Sequence, residues 1–86
     1  MLPLVSVVVL SHRWQTHPEM VQEALDSVRA QTYARIQLSV QYCKEAWPSK
    51  LNDAVNASRG DFLVILCDDD LLEATYIERC VKVALA

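Results

Sequence analysis

The run "LVSVVVL", residues 4–10, is apolar at every position except Ser6 and rich in β-branched side chains. A run of this kind without alternation reads as a strand buried on both faces, the usual state of a central strand in a parallel sheet. Parallel neighbours need a crossover between them, most often a helix. The chain supplies one at once. After the polar stretch "SHRWQTH", Thr16 and Glu19 have the spacing of a capping box, and Pro18 falls in the first turn, where a missing N–H costs nothing. Val21, Ala24, Leu25 and Val28 then recur at helical spacing through "PEMVQEALDSVRAQ".

The pattern repeats twice more. "RIQLSVQYC", residues 35–43, alternates Ile36, Leu38, Val40 and Tyr42 against Gln37, Ser39 and Gln41, as expected of a half-exposed edge strand. After the loop "KEAWPS", Leu51, Ala54 and Val55 outline a short helix ending at Gly60, the one glycine, which reads as a left-handed C-cap. "DFLVILC" is a third strand, again apolar throughout. A last helix is expected from about Glu73, packing Ile77, Cys80, Val81 and Ala84.

The order β-α-β-α-β-α predicts a single α/β domain over residues 1–86, with three layers, a short parallel sheet and right-handed crossovers in a Rossmann-like arrangement. The most apolar strand belongs in the centre, so the expected strand order is 2-1-3. Three strands leave bare edges, which predicts a homo-oligomer or association with another subunit.

Composition narrows the function classes. The 86 residues are 52% hydrophobic and 22% charged, a globular balance. The net charge of -3 argues against a nucleic-acid surface or a polybasic membrane patch. Cys43, Cys67 and Cys80 are odd in number and lack paired spacing, which argues against a disulfide framework and fits a reducing cytoplasm. The opening "MLPLVSVVVL" is too short to span a bilayer and has no basic region before it, so no transmembrane segment or signal peptide is expected.

In open parallel sheets, ligands bind beyond the carboxyl ends of the strands where the strand order reverses. In a 2-1-3 order three segments meet there: Ser11-His12-Arg13, Tyr42-Cys43-Lys44 and Cys67 to Asp70. The last lies in "ILCDDDLL", three adjacent carboxylates whose mutual repulsion calls for something positive nearby. In extended backbone Asp68 and Asp70 share a side, with Asp69 opposite, and such a pair suits Mg²⁺ or Mn²⁺ completed by phosphate oxygens. Asp70 as a helix cap is the plainer alternative. A zinc site from His12, Cys43 and Cys67 is a further one, although Cys67 and Cys80 read more simply as small buried hydrophobes. Trp14 and Trp47 stack on a base or cover a sheet edge. Lys44 lies within reach of a phosphate, and Arg59 pairs with Asp61 in the simplest reading.

The blocks "VSVVVLSHR", "ALDSVRAQTY", "LNDAVNASRGDFLVIL" and "DDDLLEATYIE" resemble, in order, the N-terminal part of family 2 glycosyltransferases, which have the GT-A fold. The likeness is most specific at Gln31-Thr32-Tyr33 and from Arg59-Gly60 to Asp70. It implies a nucleotide-sugar domain in which an Asp-x-Asp motif with Mn²⁺ or Mg²⁺ holds the diphosphate of a UDP- or GDP-linked sugar. By position, Asp68 and Asp70 become the metal ligands, and Ser11, Arg13, Asn52, Asp68 and Asp69 the nucleotide-sugar contacts.

Two departures accompany the likeness. The family's acidic pair after strand two is replaced by Val40-Gln41-Tyr42-Cys43, and counting from Gly60 its first metal-motif acid falls on Cys67. The residues after the motif end with one helix, so an acceptor-binding half is expected outside them. A catalytically incomplete module that self-associates or pairs with a longer partner is therefore the second reading. "VILCDDDLL" is also similar to the first strand and acid cluster of phospho-receiver domains, which need further strands.

Overall fold

The computed structural model describes residues 2–42 and 48–86, with side chains from residue 52 onward in the second stretch. The elements are β1 (Val5–Ser11), α1 (Pro18–Arg29), β2 (Ile36–Tyr42), α2 (Pro48–Ala57), β3 (Phe62–Cys67) and α3 (Tyr76–Leu85). All strand pairs are parallel and the order is β2-β1-β3, as the apolar character of β1 requires. Val5 lies opposite both Ile36 and Phe62, and the ladders continue in step to Ser11–Tyr42 and Leu10–Cys67.

Period two divides β1 between the two faces of the sheet. Val5, Val7 and Val9 join Val21, Ala24, Leu25 and Val28 of α1 and Ile77 and Val81 of α3 in the main core. Val8 and Leu10 face the other way, against Ala54 of α2. All seven residues of β1 are buried. A strand apolar on both faces therefore ends up central because only there is each face covered. No helix among the described residues is long and apolar enough to cross a membrane.

The third strand departs from its reading as buried throughout. Phe62, Val64 and Leu66 turn toward α3, but Leu63 and Ile65 on the α2 side are 40% and 45% exposed. The reason is placement. Among the described residues the contacts of α2 run mainly to β2 and β1, and that side of β3 stays partly open.

Several local expectations are also corrected. α1 has His17 at its N-cap with no side-chain cap bond, so Thr16 and Glu19 do not form a capping box; the Thr16 hydroxyl meets the Arg13 carbonyl and His17 Nδ1 instead. Pro18 does occupy the first turn. α3 starts at Tyr76, with Thr75 at its N-cap, so Asp70 does not cap it. Its buried face is Ile77 and Val81, whereas Cys80 and Ala84 are exposed. Asp61 accepts the Leu4 N–H at 2.9 Å rather than pairing with Arg59.

Gly60 is not a left-handed cap, because its φ is not positive. Its smallness serves a close approach. A Cβ there would stand 2.5 Å from Ser6 N, 2.6 Å from Ser6 Oγ and 2.8 Å from the Phe62 carbonyl oxygen. The Gly60 N–H donates to Ser6 Oγ at 2.8 Å, Ser6 Oγ donates to Gln37 Oε1 at 2.7 Å, and the Arg59 N–H reaches the same Gln37 oxygen at 3.1 Å. All three strands are thus locked at the amino ends of the sheet, opposite the acid run.

Candidate cation and phosphate site

The period-two pattern of β3 continues for one residue past the strand. Asp68 follows Phe62, Val64 and Leu66 onto the inner face beside Ser11, and it is 1% exposed. A bare carboxylate could not remain ionised there. Asp68 Oδ2 accepts the Ser11 hydroxyl and the Arg13 N–H, each at 3.1 Å, and Oδ1 accepts Arg13 Nη2 at 2.8 Å. Burial pushes the Asp68 carboxyl pKa up, but the Arg13 guanidinium, the Arg13 N–H and the Ser11 hydroxyl together outweigh it and hold the group below its ordinary value. The bond to Asp68, joined by Asp69, holds the Arg13 guanidinium charged, against the opposing effect of burial.

Part of the charge question is answered inside the fold. Arg13 Nη2 also lies 3.3 Å from Asp69 Oδ2, so one guanidinium bridges two of the three acids. Beyond Asp68 the chain turns: the Asp70 N–H donates to the Cys67 carbonyl at 3.1 Å. This turn ends the extended geometry in which Asp68 and Asp70 would share a side. Both oxygens of Asp68, one of the metal pair read from the sequence, already accept hydrogen bonds from Ser11 and Arg13. Cys67, Asp69 and Asp70, all exposed, bring one ligand atom each within 4.8 Å of one another.

Those donors match a hard divalent cation in part. Two carboxylates with open water positions suit Mg²⁺ or Mn²⁺, whereas a thiolate favours softer ions. Burial, followed by the charges of Asp70, Asp69 and Asp68, pushes the Cys67 thiol up, with Arg13 opposing. Hard cations prefer oxygen donors, so for Mg²⁺ or Mn²⁺ the effective set is Asp69 and Asp70. The same electrostatics give an expected result in alkylation. Asp70→Asn removes the strongest of these acidic neighbours, and iodoacetamide then modifies Cys67 severalfold faster, as read by peptide mapping. An unchanged rate would mean that the turn does not hold the acids against the thiol.

The remaining site residues are dispersed. Ser11 is buried and bonded to Asp68, and Asn52 is exposed on α2, outside that network. Cys43, Lys44 and Trp47 lie outside the described residues, as do the zinc and phosphate readings that rest on them. Trp14 packs against the main core and meets Tyr42 edge-on, with ring centroids 5.2 Å apart at 64°. The two rings and Pro18, Val21, Gln22 and Leu25 line an open cleft of about 370 Å³.

The Gln31-Thr32-Tyr33 block has a structural occupation that sequence reasoning missed. Gln31 Nε2 donates to the Glu73 carbonyl at 2.7 Å, and its Oε1 accepts the Ile77 N–H of the first turn of α3 at 3.0 Å. Thr32 N–H donates to the Ala74 carbonyl, and Ser27 Oγ accepts the Leu72 N–H. The end of α1 thus clasps the segment from Leu72 to Ile77, which carries the chain away from the acid turn. The Tyr33 hydroxyl donates to the Pro3 carbonyl.

No protein-family model and no curated protein matches the chain.

Proposed function

We propose that the turn from Cys67 to Asp70 is a divalent-cation site for the diphosphate of a UDP- or GDP-linked sugar, and that the chain is a glycosyltransferase-like donor-binding domain. The observation that carries this reading is the state of the three acids. Asp68 is consumed by Ser11 and Arg13, while Asp69 and Asp70 remain exposed at the carboxyl end of the sheet, beside the strand where the order reverses. The ordered resemblance of four sequence blocks to family 2 glycosyltransferases supports the same reading.

In this account Asp69 and Asp70 hold Mn²⁺ or Mg²⁺, with water and phosphate oxygens completing the shell. The metal supplies charge neutralisation for a departing nucleoside diphosphate. Asp68 is a positioning residue: it fixes Arg13, which in turn steadies Asp69 and adds positive charge at the crevice. Ser11 fixes Asp68 in the same way. Placement in a reducing cytoplasm belongs to this reading and accords with the free thiols of Cys67 and Cys80.

The test is a Mn²⁺ titration followed by paramagnetic broadening of assigned amide resonances. The expected result is saturable broadening centred on residues 67–70 and lost in Asp69→Asn/Asp70→Asn. Broadening that survives the double substitution would place the metal elsewhere and overturn the site.

A second reading, an assembly module without catalysis, is favoured by a different feature: the partly open outer side of β3, where Leu63 and Ile65 stand exposed.

A further inference from the structure

Ser27 stands inside α1, where alanine would be the better helix former. Its hydroxyl has two partners. Ser27 Oγ donates to the Ala24 carbonyl at 2.7 Å within the helix and accepts the Leu72 N–H at 3.1 Å from the segment that leaves the acid turn. Donation to Ala24 fixes the hydroxyl rotor and leaves the oxygen's lone pairs for Leu72. One turn further on, Gln31 holds the same segment through the Glu73 carbonyl and the Ile77 N–H.

The acid turn is therefore pinned on both sides. Upstream, Asp68 is bonded to Ser11 and Arg13. Downstream, the Leu72 N–H is bonded to Ser27, and the Leu72 side chain packs against the main core. Only Asp69, Asp70 and Leu71 lie between the two pins. Leu71 is 61% exposed, so the downstream hold falls on Leu72. A three-residue span with both ends fixed has few conformations open to it, and the bond from the Asp70 N–H to the Cys67 carbonyl removes more of them. Released at one end, the span would have to be ordered each time a cation drew the two carboxylates together, and that ordering would weaken binding.

We propose that Ser27 is a positioning residue for the cation turn: through the Leu72 N–H it holds Asp69 and Asp70 in the arrangement that takes a divalent cation, with Gln31 securing the segment behind. The inference rests on the reading of this turn as a cation site. The coupling is reciprocal, so a bound cation also strengthens the bond from Leu72 to Ser27.

The test compares Mn²⁺ affinity, from the broadening of amide resonances at residues 67–70, in the wild type, Ser27→Ala, Ser27→Thr and Gly60→Ala. Ser27→Ala does not weaken α1 through helix propensity and is expected to stay folded while binding Mn²⁺ about tenfold more weakly, the usual effect of losing a hydrogen bond behind the ligands. Ser27→Thr keeps the hydroxyl and should restore most of the affinity. Gly60→Ala strains the opposite end of the sheet and should leave the affinity of the folded protein unchanged. In the wild type, Mg²⁺ at a concentration that displaces Mn²⁺ should slow exchange of the Leu72 amide. Wild-type affinity in folded Ser27→Ala, an equal loss in Gly60→Ala, or Leu72 exchange unaltered by Mg²⁺ would each overturn the inference while leaving the cation site intact. Absence of broadening at residues 67–70 in the wild type would overturn the cation site and the inference together.

Discussion

Asp68→Ala is expected to destabilise the domain by about 2–4 kcal/mol, the cost of removing a buried hydrogen-bonded carboxylate, discounted because the Arg13 side chain left behind is 35% exposed. The substitution removes acceptors for three donors at once: the Ser11 hydroxyl, the Arg13 N–H and Arg13 Nη2. A domain of this size has a total stability on the order of 5–10 kcal/mol, so the variant would lose a large fraction of it. Asp68→Asn keeps the shape and loses the charge, with a smaller cost of about 2 kcal/mol. Urea denaturation measures both. A loss under about 1 kcal/mol for the alanine variant would mean that the carboxylate is not the bolt between β1 and β3.

The same group sets an acid limit. Its pKa in the folded state lies below the unfolded value of about 3.9, so the unfolded chain binds the proton more readily. The stability from Asp68 is therefore fully present above the unfolded pKa and is lost as pH falls through the lower folded value. Melting temperature should drop more steeply below about pH 4 in the wild type than in Asp68→Asn. Parallel curves would contradict the assignment.

Gly60→Ala is the second large effect, about 3 kcal/mol of destabilisation. Two of the three atoms that the new methyl group would meet, Ser6 N and the Phe62 carbonyl oxygen, are backbone, and a rotamer change cannot clear them. Relief requires β1 and the start of β3 to separate, which would break the bond from Gly60 to Ser6. The variant should therefore lose protection at residues 5–7 and 60–63 together in hydrogen exchange. A neutral substitution would show that this end of the sheet yields easily.

The topology was legible because the signals were periodic and redundant. β1 is apolar on both faces, α1 presents Val21, Ala24, Leu25 and Val28 at helical spacing, and only one strand order buries both patterns. What periodicity could not convey was coverage. β3 is as apolar as β1, yet α2 sits over β1 and β2, so Leu63 and Ile65 remain open.

The site was half legible for a related reason. Period two places Asp68 correctly on the inner face but fails at Asp70, because the hydrogen bond from Asp70 to Cys67 ends the extended backbone between them. A polar residue at Ser11, one position past the Leu10–Cys67 pair that ends the ladder, was the available sign that Asp68 has a partner within the fold. Gly60 misled in the opposite way. Its place after a helix suggested a conformational role, whereas the demand on it is steric and comes from Ser6, distant in sequence.

The central claim is that Asp69 and Asp70, exposed beside the buried Asp68, are the carboxylates of a metal–diphosphate clamp. The most direct measurement is calorimetric titration of UDP and GDP with Mn²⁺ present or replaced by EDTA, on the wild type and on Asp69→Asn/Asp70→Asn. This pair spares the buried Asp68 anchor, so a loss of binding can be separated from unfolding by the circular dichroism spectrum. The account predicts Mn²⁺-dependent binding of at least one nucleotide by the wild type and none by the folded double variant. Binding that persists in EDTA or in the double variant, or no binding of either nucleotide by the wild type, would contradict it.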